Sequence, residues 1–239
     1  MISRAFIRSD KTIFTILSVF AQFTSLVANW IMLGDLDSLV TSDIAKAISI
    51  NALFAVVVFL RNDVRLLAQE SEREFLKVRT TAFAALLILA LGYFIFLILL
   101  SIDTVYLVWS LAILQALNVI NTSVLVHYKK FILIGITRLS YSVILLLLAV
   151  TYFDNSYDSY LTNLVISTFC TVVFLAFFKT KMLYGLTYFS RNDLVDKDFK
   201  RYALSSTPLS FLNSYVVQGP IFLLEGNPAL LSSYFLFNK

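Results

Sequence analysis

The chain has 239 residues, of which 59% are hydrophobic and only 14% charged, with a net charge of +4 and a mean hydropathy of +0.83. Soluble domains carry about 25% charged residues, so this composition excludes an ordinary water-soluble globule and points to a polytopic membrane protein. The excess of Lys and Arg then reads as a mark of cytoplasmic loops rather than of nucleic-acid binding. Cys170 is the only cysteine and His127 the only histidine, so an intrachain disulfide and a C-x-x-C metal site are both excluded.

Arg4, Arg8 and Lys11 precede a first apolar run, Ile13–Leu33, which Gly34, Asp35 and Asp37 close. That run is too long for the apolar region of a signal peptide, and no A-x-A-like site follows it. Thr41 and Ser42 are placed to cap a second span over Ile44–Leu60, with Asp43 in its first turn and Lys46 near its start. The segment Arg61–Arg79 mixes Arg61, Arg65, Arg73, Lys77 and Arg79 with Asp63, Glu70, Glu72 and Glu74. Its i,i+3 charge pairs suit a helix surface, so it is expected to be an interfacial helix or a helical hairpin extension. The third and fourth spans, Thr80–Leu100 and Val105–Val126, are separated only by Ser101–Thr104.

The fifth span, Phe131–Tyr152, opens after Lys129 and Lys130 and is interrupted by one charge, Arg138. An Arg at the bilayer centre costs about 2.5–3.5 kcal/mol on insertion scales. It should therefore face a cavity or a partner, or snorkel to the nearer interface. Asp154 and Asp158 fall in the loop before the sixth span, Tyr160–Phe178. A long polar stretch, Lys179–Arg201, leads to a seventh span, Ala203–Leu224. Pro208 and Pro220 should bend that helix, and Asn213 and Gln218 add polar groups to it. Ala229–Phe237 reads as the start of an eighth helix. The expected architecture is thus an all-α transmembrane bundle of about seven spans and part of an eighth.

Loop charge sets the expected orientation. Sixteen of the nineteen Lys and Arg residues lie in the loops on one side, and the opposite loops carry Asp35, Asp37, Asp103, Asp154, Asp158 and Glu225 without any Lys or Arg. The positive-inside rule then places the N-terminus in the cytoplasm. A faint internal echo links Lys11–Asp35, which contains Gln22 and Asn29, with Lys200–Gly226, which contains Asn213, Gln218 and Glu225. Repeated bundles are common in transporters.

Several groups are candidates for contact with a solute. Arg138 offers a guanidinium matched to a phosphate. Lys46 either pairs with Asp43 or meets substrate. Gln115, Asn118 and Asn121, at i,i+3,i+6, read as a polar stripe that glues helices or touches ligand. The basic loops could also touch anionic lipid head groups. No nucleophile elbow, H-E-x-x-H or P-loop is present, and the only acidic pair beside a basic loop is Asp196/Asp198. The expectation is a protein that is not an enzyme and has no metal or cofactor.

The run His127–Leu148, a basic pair followed by F-I-L-I-G-I-T-R-L-S, resembles the start of the fifth helix of polysaccharide (O-antigen-type) flippases. These belong to the multidrug/oligosaccharidyl-lipid/polysaccharide exporter superfamily. Phe199–Lys239 is similar to that family's seventh helix, through Pro208, Asn213, Gln218 with Pro220, Ile221–Leu224, and Ala229 to Tyr234. At the entry to the second helix the family often has a Gly-x-Tyr-like motif, where this chain has Asp37–Ser42. Members typically have two lobes of six spans. The resemblance therefore implies that residues 1–201 form a six-helix lobe, that 202–239 begin a second lobe, and that the chain continues beyond Lys239 or is a truncated frame.

The resemblance also implies a bacterial inner-membrane flippase. It would move a polyprenyl-diphosphate-linked oligosaccharide for O-antigen, lipopolysaccharide or capsule synthesis, alongside membrane lipids and polymerase machinery and without nucleic acid. In that scheme Arg138 would hold the diphosphate, while Asn213, Gln218 and Pro220 would shape the path between the lobes. A drug or cation exporter of the same superfamily, or a non-transporting membrane subunit, remain the alternatives. An exporter of that kind would favour buried carboxylates, and in the spans only Asp43 comes close.

Overall fold

The computed structural model describes residues 2–34, 36–58, 65–67, 69, 71–102 and 104–177, and toward the C-terminus 207–216, 218, 221, 224 and 227–230. Among these every regular element is helical. Six long helices follow in order: α1 (Ile2–Gly34), α2 (Ser38–Val58), α3 (Glu72–Leu99), α4 (Val105–His127), α5 (Phe131–Thr151) and α6 (Tyr157–Phe177). Among the described residues five stretches are long and apolar enough to cross a membrane: Asp10–Gly34, Glu72–Leu99, Val105–His127, Phe131–Thr151 and Tyr157–Leu175. The described residues thus form an all-helical bundle with several helices of the length and composition that suit a membrane protein.

The contacts order the ends of the helices. Phe14 of α1 meets Phe131 of α5 (ring centroids 6.2 Å apart), and Leu17 meets Gly135 one turn further on, so α1 and α5 run parallel. Phe75 of α3 stacks on His127 of α4 at 3.8 Å, and Trp109 of α4 donates to the Ala90 carbonyl of α3 at 2.8 Å, so α3 and α4 run antiparallel. One end of the bundle therefore gathers the starts of α1, α3 and α5 and the end of α4, with Lys129 and Lys130. The other end holds Asp37, Asp154 and Asp158. The larger apolar cluster, from Met32 and Ile44 through Leu97 and Leu111 to Leu145 and Leu161, joins all six helices, and a smaller one gathers Leu125, Ile134 and Leu175.

Two Schellman motifs end α3 and α4. At the first, Ser101 N–H donates to Ile98 O (3.0 Å) and Ile102 N–H to Leu97 O (3.3 Å). At the second, Lys129 N–H donates to Val126 O (2.9 Å) and Lys130 N–H to Leu125 O (2.8 Å). Both need a left-handed residue, and Ser101 (φ 52°) and Lys129 (φ 56°) supply it where glycine is usual. These caps turn the chain sharply enough for connections of five residues after α3 (100–104) and three after α4 (128–130). The opposite turn is fixed by hydroxyls: Ser156 Oγ accepts from the Ser159 N–H (3.1 Å), an N-cap for α6.

Three expectations are corrected. First, Arg61–Arg79 is not a separate interfacial helix in its described second half. Helix α3 begins at Glu72 and runs without a break into the apolar span. Its buried face, Phe75, Val78, Arg79, Ala82, Leu86, Ala90, Tyr93 and Leu97, keeps helical spacing from the polar start onward. Second, Arg79 is therefore not a loop charge; it lies on that stripe at 0% exposure. Third, α2 starts at Ser38, so Thr41 and Ser42 do not cap it. The Thr41 hydroxyl instead donates to the Asp37 carbonyl (3.1 Å), the i−4 bond open to Thr inside a helix. Helix α2 covers Ile44–Val58 of the expected second span, and Phe59 and Leu60 lie outside the described residues. Its Thr41, Ser42, Ser49 and Asn51 are buried inside the bundle.

The expected seventh span, Ala203–Leu224, is described at 207–216, 218, 221 and 224. Residues 207–216 are helical, with exposed Pro208 at the second position of that stretch, and Pro220 lies outside the described residues. The basic stretch Lys179–Arg201 and all but 229–230 of the expected eighth helix are likewise outside them.

Candidate functional site

The helix pair that builds the site is α1 and α5, the most extensively packed pair in the bundle. Gly135 makes this approach possible: a Cβ built there would lie 3.0 Å from both Cβ and Cδ1 of Leu17. One turn further along α5 comes Arg138. Its guanidinium carbon stands 5.5 Å from the centroid of the Phe14 ring on α1, a cation–π distance.

Arg138, itself exposed, borders an open cavity of about 600 Å³ between α1, α4, α5 and α6, to which Leu67 also contributes. The walls are polar for a site inside an apolar bundle. Helix α1 contributes Ser18, Gln22 and Ser25; α4 contributes Asn118, Thr122 and Ser123; α5 contributes Thr137, Arg138, Tyr141 and Ser142; and α6 contributes Thr171. Several of the hydroxyls donate to their own helix. Thr137 donates to Leu133 O (2.7 Å), Ser142 to Arg138 O (3.1 Å) and Thr171 to Ser167 O (2.8 Å). Their oxygens keep free lone pairs. Two wall atoms, Ser18 Oγ and Asn118 Oδ1, are buried without a hydrogen-bond partner. Buried polar atoms in proteins are normally satisfied, so these two atoms mark the cavity as a place for water or a polar solute.

The electrostatics are one-sided. Among the described residues the lining includes one guanidinium and no carboxylate. In a medium of low dielectric an unopposed cation attracts anions strongly. Such a wall can hold and orient an anionic group; it offers no nucleophile paired with a base.

Of the residues expected at a site, the structure brings Arg138 and Asn118 together in this cavity. Lys46 is elsewhere, 3.6 Å from Asp43 on α2. Asn213 is exposed on the 207–216 helix and Gln218 half-buried, and neither lines the cavity. The expected stripe Gln115–Asn118–Asn121 does not share one environment. Gln115 is exposed, Asn118 is half-buried at the cavity, and Asn121 is fully buried with neither amide atom hydrogen-bonded. Residues turn about 100° each around an α-helix, so steps of three lag about 60° apiece and the stripe wraps inward.

Sequence reading missed Ser18, Ser25, Thr137, Tyr141, Ser142 and Thr171. For the first two a signal existed, since Ser18, Gln22, Ser25 and Asn29 follow the 4-3-4 spacing of one helical face. The hydroxyls of α5 and α6 carry no such signal, because Ser and Thr are common in membrane helices with their hydroxyls bonded to the backbone. Comparison with protein-family models, with curated proteins and with solved structures returned no match.

Proposed function

We propose that this chain is a membrane translocator for a solute with an anionic polar head, and that the solute is a polyprenyl-diphosphate-linked oligosaccharide, as the resemblance of the His127–Leu148 run implies. On this reading the spans number seven with the start of an eighth, the N-terminus is cytoplasmic, and the membrane is the bacterial inner membrane. The observation that carries it is Arg138, a single guanidinium in a polar cavity within an apolar bundle. A guanidinium donates in a fork that matches two phosphate oxygens. The hydroxyl and amide groups around it suit the hydroxyls of a sugar. A cation exporter would want a carboxylate in the wall, and none lines this cavity among the described residues.

The test is Arg138→Ala and Arg138→Lys in the full-length protein, read as surface polysaccharide against protein abundance. The expected outcome is loss of surface polysaccharide in Arg138→Ala at normal abundance, with partial retention in Arg138→Lys. Normal polysaccharide in Arg138→Ala would remove Arg138 from the mechanism.

A further inference from the structure

We infer that the polar face of α1 is a water-filled track running most of the way across the membrane, with Gln22 and Ser25 as the junction between two chambers. This rests on the translocator reading and gives it a route. The first chamber is the Arg138 cavity, toward the end of the bundle that carries Lys129 and Lys130. The second is an open groove of about 860 Å³ along α1; its described lining is Gln22, Ser25, Leu26, Asn29, Trp30, Leu33 and Gly34, all on α1 itself. It opens toward the end that carries Asp37. Among the described residues only Gln22 and Ser25 line both chambers.

The spacing explains the continuity. Ser18, Gln22, Ser25 and Asn29 recur every four, three and four residues, which keeps them on one side of a helix. The core face of α1, Ala21, Ala28 and Met32, lies beside this ladder; Val19, Phe20 and Phe23 are exposed, as is Gln22 on the ladder. From Ser18 to Gly34 the helix rises about 24 Å, against a hydrocarbon core of about 30 Å. A Gln or Asn turned to lipid is unfavourable, and polar groups at this depth face protein or water. Ser18 Oγ, buried and without a hydrogen-bond partner, lies at the start of the ladder.

The outer end of the ladder is anchored. Asn29 Nδ2 donates to the Ser25 carbonyl (2.8 Å), and Asn29 Oδ1 accepts from the Tyr160 hydroxyl of α6 (3.0 Å). This fixes the rotation of α1 and so holds the ladder toward both chambers. The solute class that fits is an amphiphile: its polar head travels along the ladder while its chain stays against the apolar side of α1.

The experiment uses the full-length protein with Cys170→Ser as background. Single cysteines are placed on the ladder (Ser18→Cys, Gln22→Cys, Ser25→Cys, Asn29→Cys) and on the lipid side (Val19→Cys, Phe23→Cys). A membrane-impermeant methanethiosulfonate reagent reacts with the thiolate, which forms only in water. The ladder positions are expected to label at least tenfold faster than the lipid-side positions. Equal slow labelling of all six would show that the face is dry and would overturn the track.

The junction is tested by adding Gln22→Trp to the Ser18→Cys and Asn29→Cys proteins, with reagent supplied from the side of Asp37. Labelling of Asn29→Cys should persist while that of Ser18→Cys falls about tenfold, and unchanged labelling of Ser18→Cys would overturn the junction. If Gln22→Trp does not accumulate, Gln22→Leu takes its place in the same comparison. No step requires transport, so a labelled track in a protein that leaves surface polysaccharide unaffected would separate this inference from the proposed substrate.

Discussion

Leu17 occupies the space that a side chain on Gly135 would need, so α1 and α5 touch almost backbone to backbone where Arg138 enters the cavity. Gly135→Leu should therefore push the two helices apart. Overpacking of this kind typically costs about 1–3 kcal/mol. A lowered melting temperature in detergent is expected, with a smaller loss for Gly135→Ala. Equal melting temperatures for all three proteins would show that the approach is not tight.

Lys129 pays a conformational penalty at the end of α4. Its φ of 56° is a region that costs an L-residue roughly 1–2 kcal/mol and glycine little. Lys129→Gly should raise stability by up to about 1 kcal/mol, and Lys129→Val should lower it, because a β-branched residue fits the left-handed region worst. Thermal unfolding of the two variants beside the parent tests this.

Tyr93, Asn51 and Val108 tie three helices together. The Tyr93 hydroxyl donates to Asn51 Oδ1, Asn51 Nδ2 donates to the Val108 carbonyl (3.2 Å), and Phe54 stacks on the Tyr93 ring at 3.9 Å. Tyr93→Phe keeps the stack and strands one buried acceptor, which costs about 1–3 kcal/mol. The double variant Asn51→Leu with Tyr93→Phe should be less destabilised than the two single effects added together. Strict additivity in that cycle would mean that the hydroxyl and the amide do not interact.

Asp154 carries a pH dependence of known sign. Its carboxylate accepts from the Ser156 hydroxyl at 2.6 Å, and that bond, with weaker ones from Ser159 and the backbone, holds its pKa below the usual carboxylate value. A folded-state pKa below the unfolded one favours the folded turn while the group is ionised. The contribution is complete above the ordinary carboxylate range and is lost as pH falls through the lowered value. The protection of the first amides of α6 from hydrogen exchange, taken relative to the intrinsic exchange rate at each pH, should therefore fall at acidic pH, and Asp154→Asn should abolish that change.

The sequence made some of this legible. The fifth span, expected over Phe131–Tyr152, is α5 over Phe131–Thr151, because an apolar run interrupted only by Arg138, with a basic lead, leaves little choice of boundary. Charge misled at Arg79. The residue was grouped with its polar neighbours, whereas Phe75, Val78 and Ala82 already place it on a buried face. The Arg138 cavity was half legible: the lone guanidinium and Asn118 announced themselves against apolar surroundings. Tyr141 and Thr171 did not, because only the packing of α5 beside α6 and α1 turns common residues into a wall.

The parallel pairing of α1 with α5 also sets an order of events during synthesis. The first helix leaves the ribosome long before its principal partner exists. At roughly 5–20 residues per second, on the order of ten seconds separates Leu17 from Gly135. Through that interval α1 stands in the bilayer with Ser18, Gln22 and Asn29 uncovered, and α2, α3 and α4 must be placed so as to leave a berth beside it. The berth closes only when Gly135 arrives. A substitution at that glycine would then surface first as slow assembly and heightened proteolysis of the nascent chain, ahead of any change in the finished protein.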